Sequence, residues 1–190
     1  MLRTSAPLIG ALAVMGDIDT PQQEMDRAFD NYLALSDLLR SDLEAVMEGE
    51  SRSPSWRRNF IRITAALVEG YAHCFRQMCA VSSHSEAPAI STKERAVILD
   101  EAGFDTTDRL KLTLRAAYKL FDLTPVPDFG GQDWAKAQLA LDKRHKLMHP
   151  KTPEDLAVPD ESWEELREGV IWMLEQLFNF IAMLKKKHDG

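Results

Sequence analysis

The stretch from Trp163 to Leu184 constrains the fold more than any other part of the chain. Trp163, Leu166, Val170, Met173, Leu177, Phe180 and Leu184 recur three and four residues apart, and Ile171, Leu174, Phe178 and Ile181 form a second stripe beside them. One stripe suffices for a helix on the surface of a bundle. Two predict a helix packed against more than one neighbour. Ser162-Trp163-Glu164-Glu165 reads as a capping box at its start, and Lys185-Lys186-Lys187 put cations at the negative end of its dipole.

The rest of the chain supplies helical partners. Thr20-Pro21 opens a helix that Gly49 closes, with Met25, Phe29, Tyr32, Leu39, Leu43 and Val46 on its apolar face. After a Ser/Pro-rich linker, Ser51 to Ser55, a second long helix carries Trp56, Phe60, Ile63, Leu67, Cys74, Met78 and Val81 at helical spacing. A loop between Ser82 and Ile90 leads to the capping box Ser91-Thr92-Lys93-Glu94 and a short helix expected to stop at Gly103. Thr107 is expected to cap the next helix, with Leu110, Leu114, Ala117 and Phe121 in one stripe. Thr124 to Gly131, rich in proline and glycine, reads as a loop, and a further helix runs from about Asp133 to Met148. No β-type alternation of useful length appears. The predicted fold is all-α: an up-and-down bundle of four to five main helices plus short extra ones, in a single domain over 21–187. Residues 1–20 read as an N-terminal arm and 188–190 as a tail.

Composition narrows the function classes. A formal net charge of −7 argues against a chain that coats nucleic acid or an anionic membrane through its overall field, yet leaves room for a local basic site. Cys74 and Cys79 lie in an apolar helical pattern that points them apart, so they read as two buried thiols in a reducing, cytoplasmic compartment. The apolar run Ala6 to Met15 is interrupted by Pro7 and Gly10, which leaves too short a core for a signal segment. No stretch approaches the length of a membrane span.

The densest chemistry lies in DKRHKLMHPK, Asp142 to Lys151. His145 and His149 are four apart, but Lys146 stands where a zinc protease would carry its glutamate, and Lys143, Arg144 and Lys146 oppose a dication. No metal or other cofactor is expected. Gly130-Gly131 lacks the lysine and serine of a phosphate loop, and no nucleophile motif is present. What remains is a cationic site suited to phosphate, with an arginine as a fixed donor fork and a histidine able to trade protons near neutrality. On a continuous helix Arg144 and His149 would stand about 140° apart. Pro150 pushes the residue before it out of the helical region, so His149 is expected to leave the helix and turn toward Arg144. A plain basic helix terminus, its cations facing the last carbonyls, accounts for the same residues. His73 reads as a core histidine, His84 and His188 as loop and tail. Arg57, Arg58 and Arg62 read as a solvated helix face rather than an RNA path.

Arg144-His145-Lys146-Leu147-Met148-His149 resembles the signature of HEPN domains: arginine, a polar residue, a few variable positions and a closing histidine at the end of a helix in an all-α bundle. Its place late in the chain, the following proline and the one long apolar helix after it fit that family, over roughly Pro21 to Lys187. The resemblance implies a metal-independent endoribonuclease of toxin or defence type, acting on RNA as a homodimer whose two motifs face each other. It implies that Arg144 stabilises charge on the phosphate and that His149 is the general acid/base for attack by the RNA 2′-hydroxyl, leaving a 2′,3′-cyclic phosphate. His145 would support Arg144 or the phosphate, and Lys143, Lys146 and Lys151 would bind substrate. An antitoxin or nucleotidyltransferase partner would go with a toxin. The family also holds members that bind or scaffold without cutting RNA, so an inactive interaction domain is the alternative.

Overall fold

The computed structural model of the chain describes residues 20–49, 53–83, 90–101 and 103–188. The N-terminal arm up to residue 19, the first half of the Ser/Pro linker, His84 and the last two residues lie outside them. The elements are α1 (Pro21–Glu48), α2 (Pro54–Ser82), α3 (Thr92–Ile98), α4 (Thr106–Leu120), α5 (Gln132–Met148), a 3-10 turn (Pro153–Leu156) and α6 (Asp160–His188). The protein is an all-α bundle; among the described residues there is no strand, and they form five long helices and one short one.

Local chemistry sets the helix starts. The Thr20 hydroxyl accepts from the Gln23 N–H, and the Gln23 amide oxygen accepts from the Thr20 N–H at 2.8 Å. Ser91 and Glu94 close the same reciprocal box on α3. Ser53 caps α2 from inside the linker by accepting from the Trp56 N–H. Three boundaries differ from those read off the sequence. Helix α3 stops at Ile98, because Asp100 takes the left-handed conformation (φ 57°) expected of Gly103. Helix α4 is capped by Asp105 instead of Thr107, its carboxylate accepting from the Asp108 N–H at 2.7 Å. Helix α6 begins at Asp160, and the Ser162 hydroxyl donates to the Pro159 carbonyl.

Helix α2 is the centre of the bundle, packing against α1, α3, α4, α5 and α6. Tyr71, Phe75, Cys74, Met78 and Cys79 are buried along it, and Ile61 rather than Ile63 is the fully buried isoleucine. Phe75 and Tyr118 meet Phe180 of α6 at ring-centroid distances of 4.4 and 5.8 Å, while Phe60 and Trp56 enclose Trp163. His73 is exposed, which corrects its reading as a core histidine. It shares with Ala66, seven residues earlier, the one outward strip of α2.

The two stripes of α6 separate in the structure. Trp163, Leu166, Val170, Met173, Leu177 and Phe180 are buried, but Ile171, Leu174 and Ile181 are half-buried and Phe178 is 40% exposed. On α1 the inward line is Ala28, Tyr32 and Ser36, and Phe29 is exposed, because α1 rests chiefly on α2 and presents one narrow face to it. Helices α5 and α6 approach so closely that a Cβ added at Gly169 would lie 2.2 Å from the Lys136 carbonyl oxygen. Glycine at that position is what lets the two backbones touch. Phe129, Trp134 and Trp172 pack beside the crossing, and Lys136 pairs with Glu168 at 2.5 Å.

Candidate functional site

Helix α5 delivers the basic histidine motif. Trp134, Ala137, Ala140, Leu141 and Leu147 bury one face against the bundle, which turns Lys146, Met148 and both histidines of the motif to the surface. Pro150 ends the helix as expected: His149 adopts φ −130° and ψ 57°, outside the helical region, while its N–H still donates to the His145 carbonyl at 3.0 Å.

The released histidine does not meet the partner expected of it. The His149 imidazole lies against His145, ring centroids 5.2 Å apart at an interplanar angle of 52°. Arg144 instead crosses to α2, where its Nη2 donates to Glu69 Oε2 at 2.7 Å. The structure therefore brings the two histidines together at the exposed helix end and places Arg144 in an ion pair, 19% exposed, on the inward side. Lys143 is half-buried and donates to the Asp155 carbonyl at 3.0 Å. Burial, and after it the charge of Lys146, lower its pKa. Lys146 and Lys151 are exposed, in and just after the histidine motif. The Lys151 and Thr152 N–H groups both donate to Asp155, which holds that carboxyl below its usual range and fixes the turn after the motif.

Three arginines of α2 hold this end of α5 and the segment after it. Arg62 donates to the Leu147 carbonyl at 2.9 Å, Arg58 to Leu156 at 3.4 Å and Arg57 to Val158 at 3.2 Å. Arg57 also pairs with Asp160 and stacks over Trp163, its guanidinium carbon 5.5 Å from the ring centroid. Their reading as a solvated helix face is corrected: Arg57 is buried, and all three satisfy carbonyls that the end of α5 and the following loop leave unpaired. The available signal was their position on α2 beside Trp56 and Phe60, but no rule of spacing names a carbonyl some hundred residues away in the chain as the partner.

Chemically, two adjacent imidazoles with two exposed lysines offer proton transfer and anion attraction in one place. Among the described residues no group of three or more His, Cys, Asp or Glu side chains is arranged to hold a metal ion. None of the helices among them is long and apolar enough to cross a membrane.

Fold and site together define an all-α bundle whose fifth helix ends in an exposed, basic histidine pair. Comparison with protein-family models, curated proteins and solved structures finds no match to this chain.

Proposed function

We propose that this protein is a HEPN-like, metal-independent endoribonuclease, acting as a homodimer in a toxin or defence setting with an antitoxin or nucleotidyltransferase partner. The observation that carries the reading is the contact of His145 with His149 at the end of α5. RNA transesterification needs one group to accept the proton of the 2′-hydroxyl and another to protonate the departing 5′-oxygen. His149 takes the first role. His145, or the histidine of a second copy, takes the other. The new 2′-oxygen–phosphorus bond forms as the 5′-oxygen bond breaks, leaving a 2′,3′-cyclic phosphate and a 5′-hydroxyl. Arg144 stabilises the charge that develops on the phosphate once it exchanges Glu69 for the substrate. Lys146 and Lys151 draw the strand to the site, and Lys143 steadies the loop that presents Lys151.

One observation favours the second reading, a non-catalytic interaction domain: Arg144 already has a carboxylate partner. Incubation of the purified protein with RNA in the presence of EDTA separates the two. Cleavage to 2′,3′-cyclic phosphate ends is expected, with His149→Ala and Arg144→Ala each reducing the rate by about 10²-fold or more at unchanged helicity and dimer mass. Undiminished cleavage by either variant sinks the ribonuclease reading. Absence of cleavage together with a specific co-purifying partner establishes the interaction domain.

A further inference from the structure

Beside Arg144 lies a cleft of about 410 Å³ between α2, α4 and the end of α5. Arg76 of α2, Arg109 of α4 and Arg144 of α5 all line it, together with Glu69 and Asp100. Three guanidinium groups from three separate helices at 12%, 27% and 19% exposure are more than one ion pair needs. Like charges gathered around one cleft repel one another, and lysine or arginine is seldom withdrawn from water without a partner.

The carboxylates cover the arginines incompletely. Glu69 is engaged by Arg144. Asp100 accepts from Arg109, which also donates to the Glu101 carbonyl at 3.3 Å, and this leaves Arg76 with its Nε 3.9 Å from Asp100, beyond hydrogen-bond reach. The Arg76 Nε is fully buried and has no hydrogen-bond partner among the described residues. Burial, only partly offset by Asp100, pulls the Arg76 pKa below its ordinary value. The guanidinium as a whole lines the cleft at 12% exposure with only the 3.9 Å pairing to Asp100, so it is under-paired for an arginine so far withdrawn from water.

Charge narrows the class of acceptor that would complete this pairing to a monoanion. Three arginines against two carboxylates leave one unit of positive charge in the cleft. A phosphodiester carries one negative charge and offers oxygens in the geometry that guanidinium forks bind best. A phosphate monoester carries close to two and would overfill the site. We propose that the Arg76–Arg109–Arg144 cleft binds a phosphodiester of a single-stranded nucleic acid, with Glu69 and Asp100 holding the arginine forks apart until that group displaces Glu69 from Arg144. The cleft shares Arg144 with the ribonuclease reading and deepens it, since the phosphodiester that takes Arg144 from Glu69 is then the scissile one; binding in the cleft does not itself require cleavage.

The test uses a 2′-deoxy dinucleoside monophosphate, which lacks the hydroxyl needed for cleavage, with inorganic phosphate and a nucleoside monophosphate as competing probes. Arginine Nε–Hε resonances are followed by NMR as each probe is added to the full chain. The dinucleotide is expected to move the Arg76 and Arg109 resonances saturably and more tightly than either monoester probe. Arg109→Gln should weaken binding about tenfold, as loss of one charge-assisted contact does, and Glu69→Gln should tighten it about fivefold by removing the competing carboxylate. Unmoved Arg76 and Arg109 resonances at millimolar dinucleotide, or full affinity in a folded Arg109→Gln, overturn the proposal, and a monoester that binds as tightly overturns the phosphodiester assignment. His149→Ala should keep the binding and lose any cleavage. Binding retained while His149→Ala still cleaves defeats the ribonuclease reading alone, and cleavage without dinucleotide binding defeats the cleft alone.

Discussion

Replacing Gly169 by alanine sets two general rules against each other, and the structure decides the winner. In a helix interior the exchange favours alanine by about 1 kcal/mol, because glycine loses more backbone freedom on folding. Here the new methyl would sit 2.2 Å from the Lys136 carbonyl oxygen, 2.4 Å from its carbon and 2.7 Å from the Ala137 nitrogen. All three are backbone atoms of α5, so no rotamer change relieves them; the helices must separate by roughly 1 Å to restore ordinary contact distances. Overpacking of this kind costs about 1–3 kcal/mol and sometimes more. The separation also loosens the Trp134–Trp172 contact at 5.7 Å and the Lys136–Glu168 pair. Set against the helix gain, the net expectation is a loss of about 1–2 kcal/mol, which for a chain of this size lowers Tm by about 2–8 °C. Urea unfolding followed by circular dichroism should show a lower midpoint at an unchanged slope. Gly70→Ala is the internal control: its Cβ would meet only the flexible end of Leu39, at 3.2 Å, so α2 should gain up to about 1 kcal/mol. A Gly169→Ala protein as stable as the parent would refute the reasoning.

Arg57→Met keeps the apolar stem but removes the bonds to Val158 and Asp160, and should cost about 1–3 kcal/mol, read as a lower Tm with faster hydrogen exchange around the start of α6. Glu94 is 1% exposed; burial opposes its charge, yet hydrogen bonds from Lys119 at 2.8 Å and from Ser91 outweigh that and hold its carboxyl below the ordinary range. Between the two values the unfolded chain binds the extra proton, so stability should fall as pH drops below about 4.3, and Glu94→Gln should flatten that slope while lowering Tm at pH 7. Identical Tm-against-pH curves for the two proteins would discount the pairing. Burial pushes the Cys79 thiol up to about 12 and also raises Cys74, so an aromatic disulfide reagent at pH 8 should leave both unmodified until denaturant is added. Rapid labelling of either in the native protein would contradict their burial.

The helices and most of their starts were legible because they rest on local physics. A capping hydroxyl, a proline in the first turn and apolar residues at helical spacing act within a few residues of one another, and the Thr20 and Ser91 caps and the six inward residues of α6 followed from them. The C-terminus of α5 was legible for the same reason, since proline constrains the residue immediately before it. Where two local signals competed, as Asp105 with Thr107 or Asp100 with Gly103, spacing alone chose wrongly by a few residues. The exposure of Phe29 and Phe178 was not legible, because periodicity marks an apolar face without recording how many neighbours arrive to cover it.

Local signals along the chain were enough to show that it is helical, where its long helices run, and that a basic histidine motif ends the fifth of them. Whom each charged side chain meets is a matter of how those helices pack. Arg144 pairs with Glu69, seventy-five residues away, and His149 rests on His145, although both residues looked from the motif like each other's partner. Arg57, Arg58 and Arg62 likewise became carbonyl clamps, and Arg76 and Arg109 joined Arg144 around one cleft. The reason is physical: hydrogen bonds and ion pairs act over a few ångströms, and which groups come within that range is set by helix packing across the whole bundle.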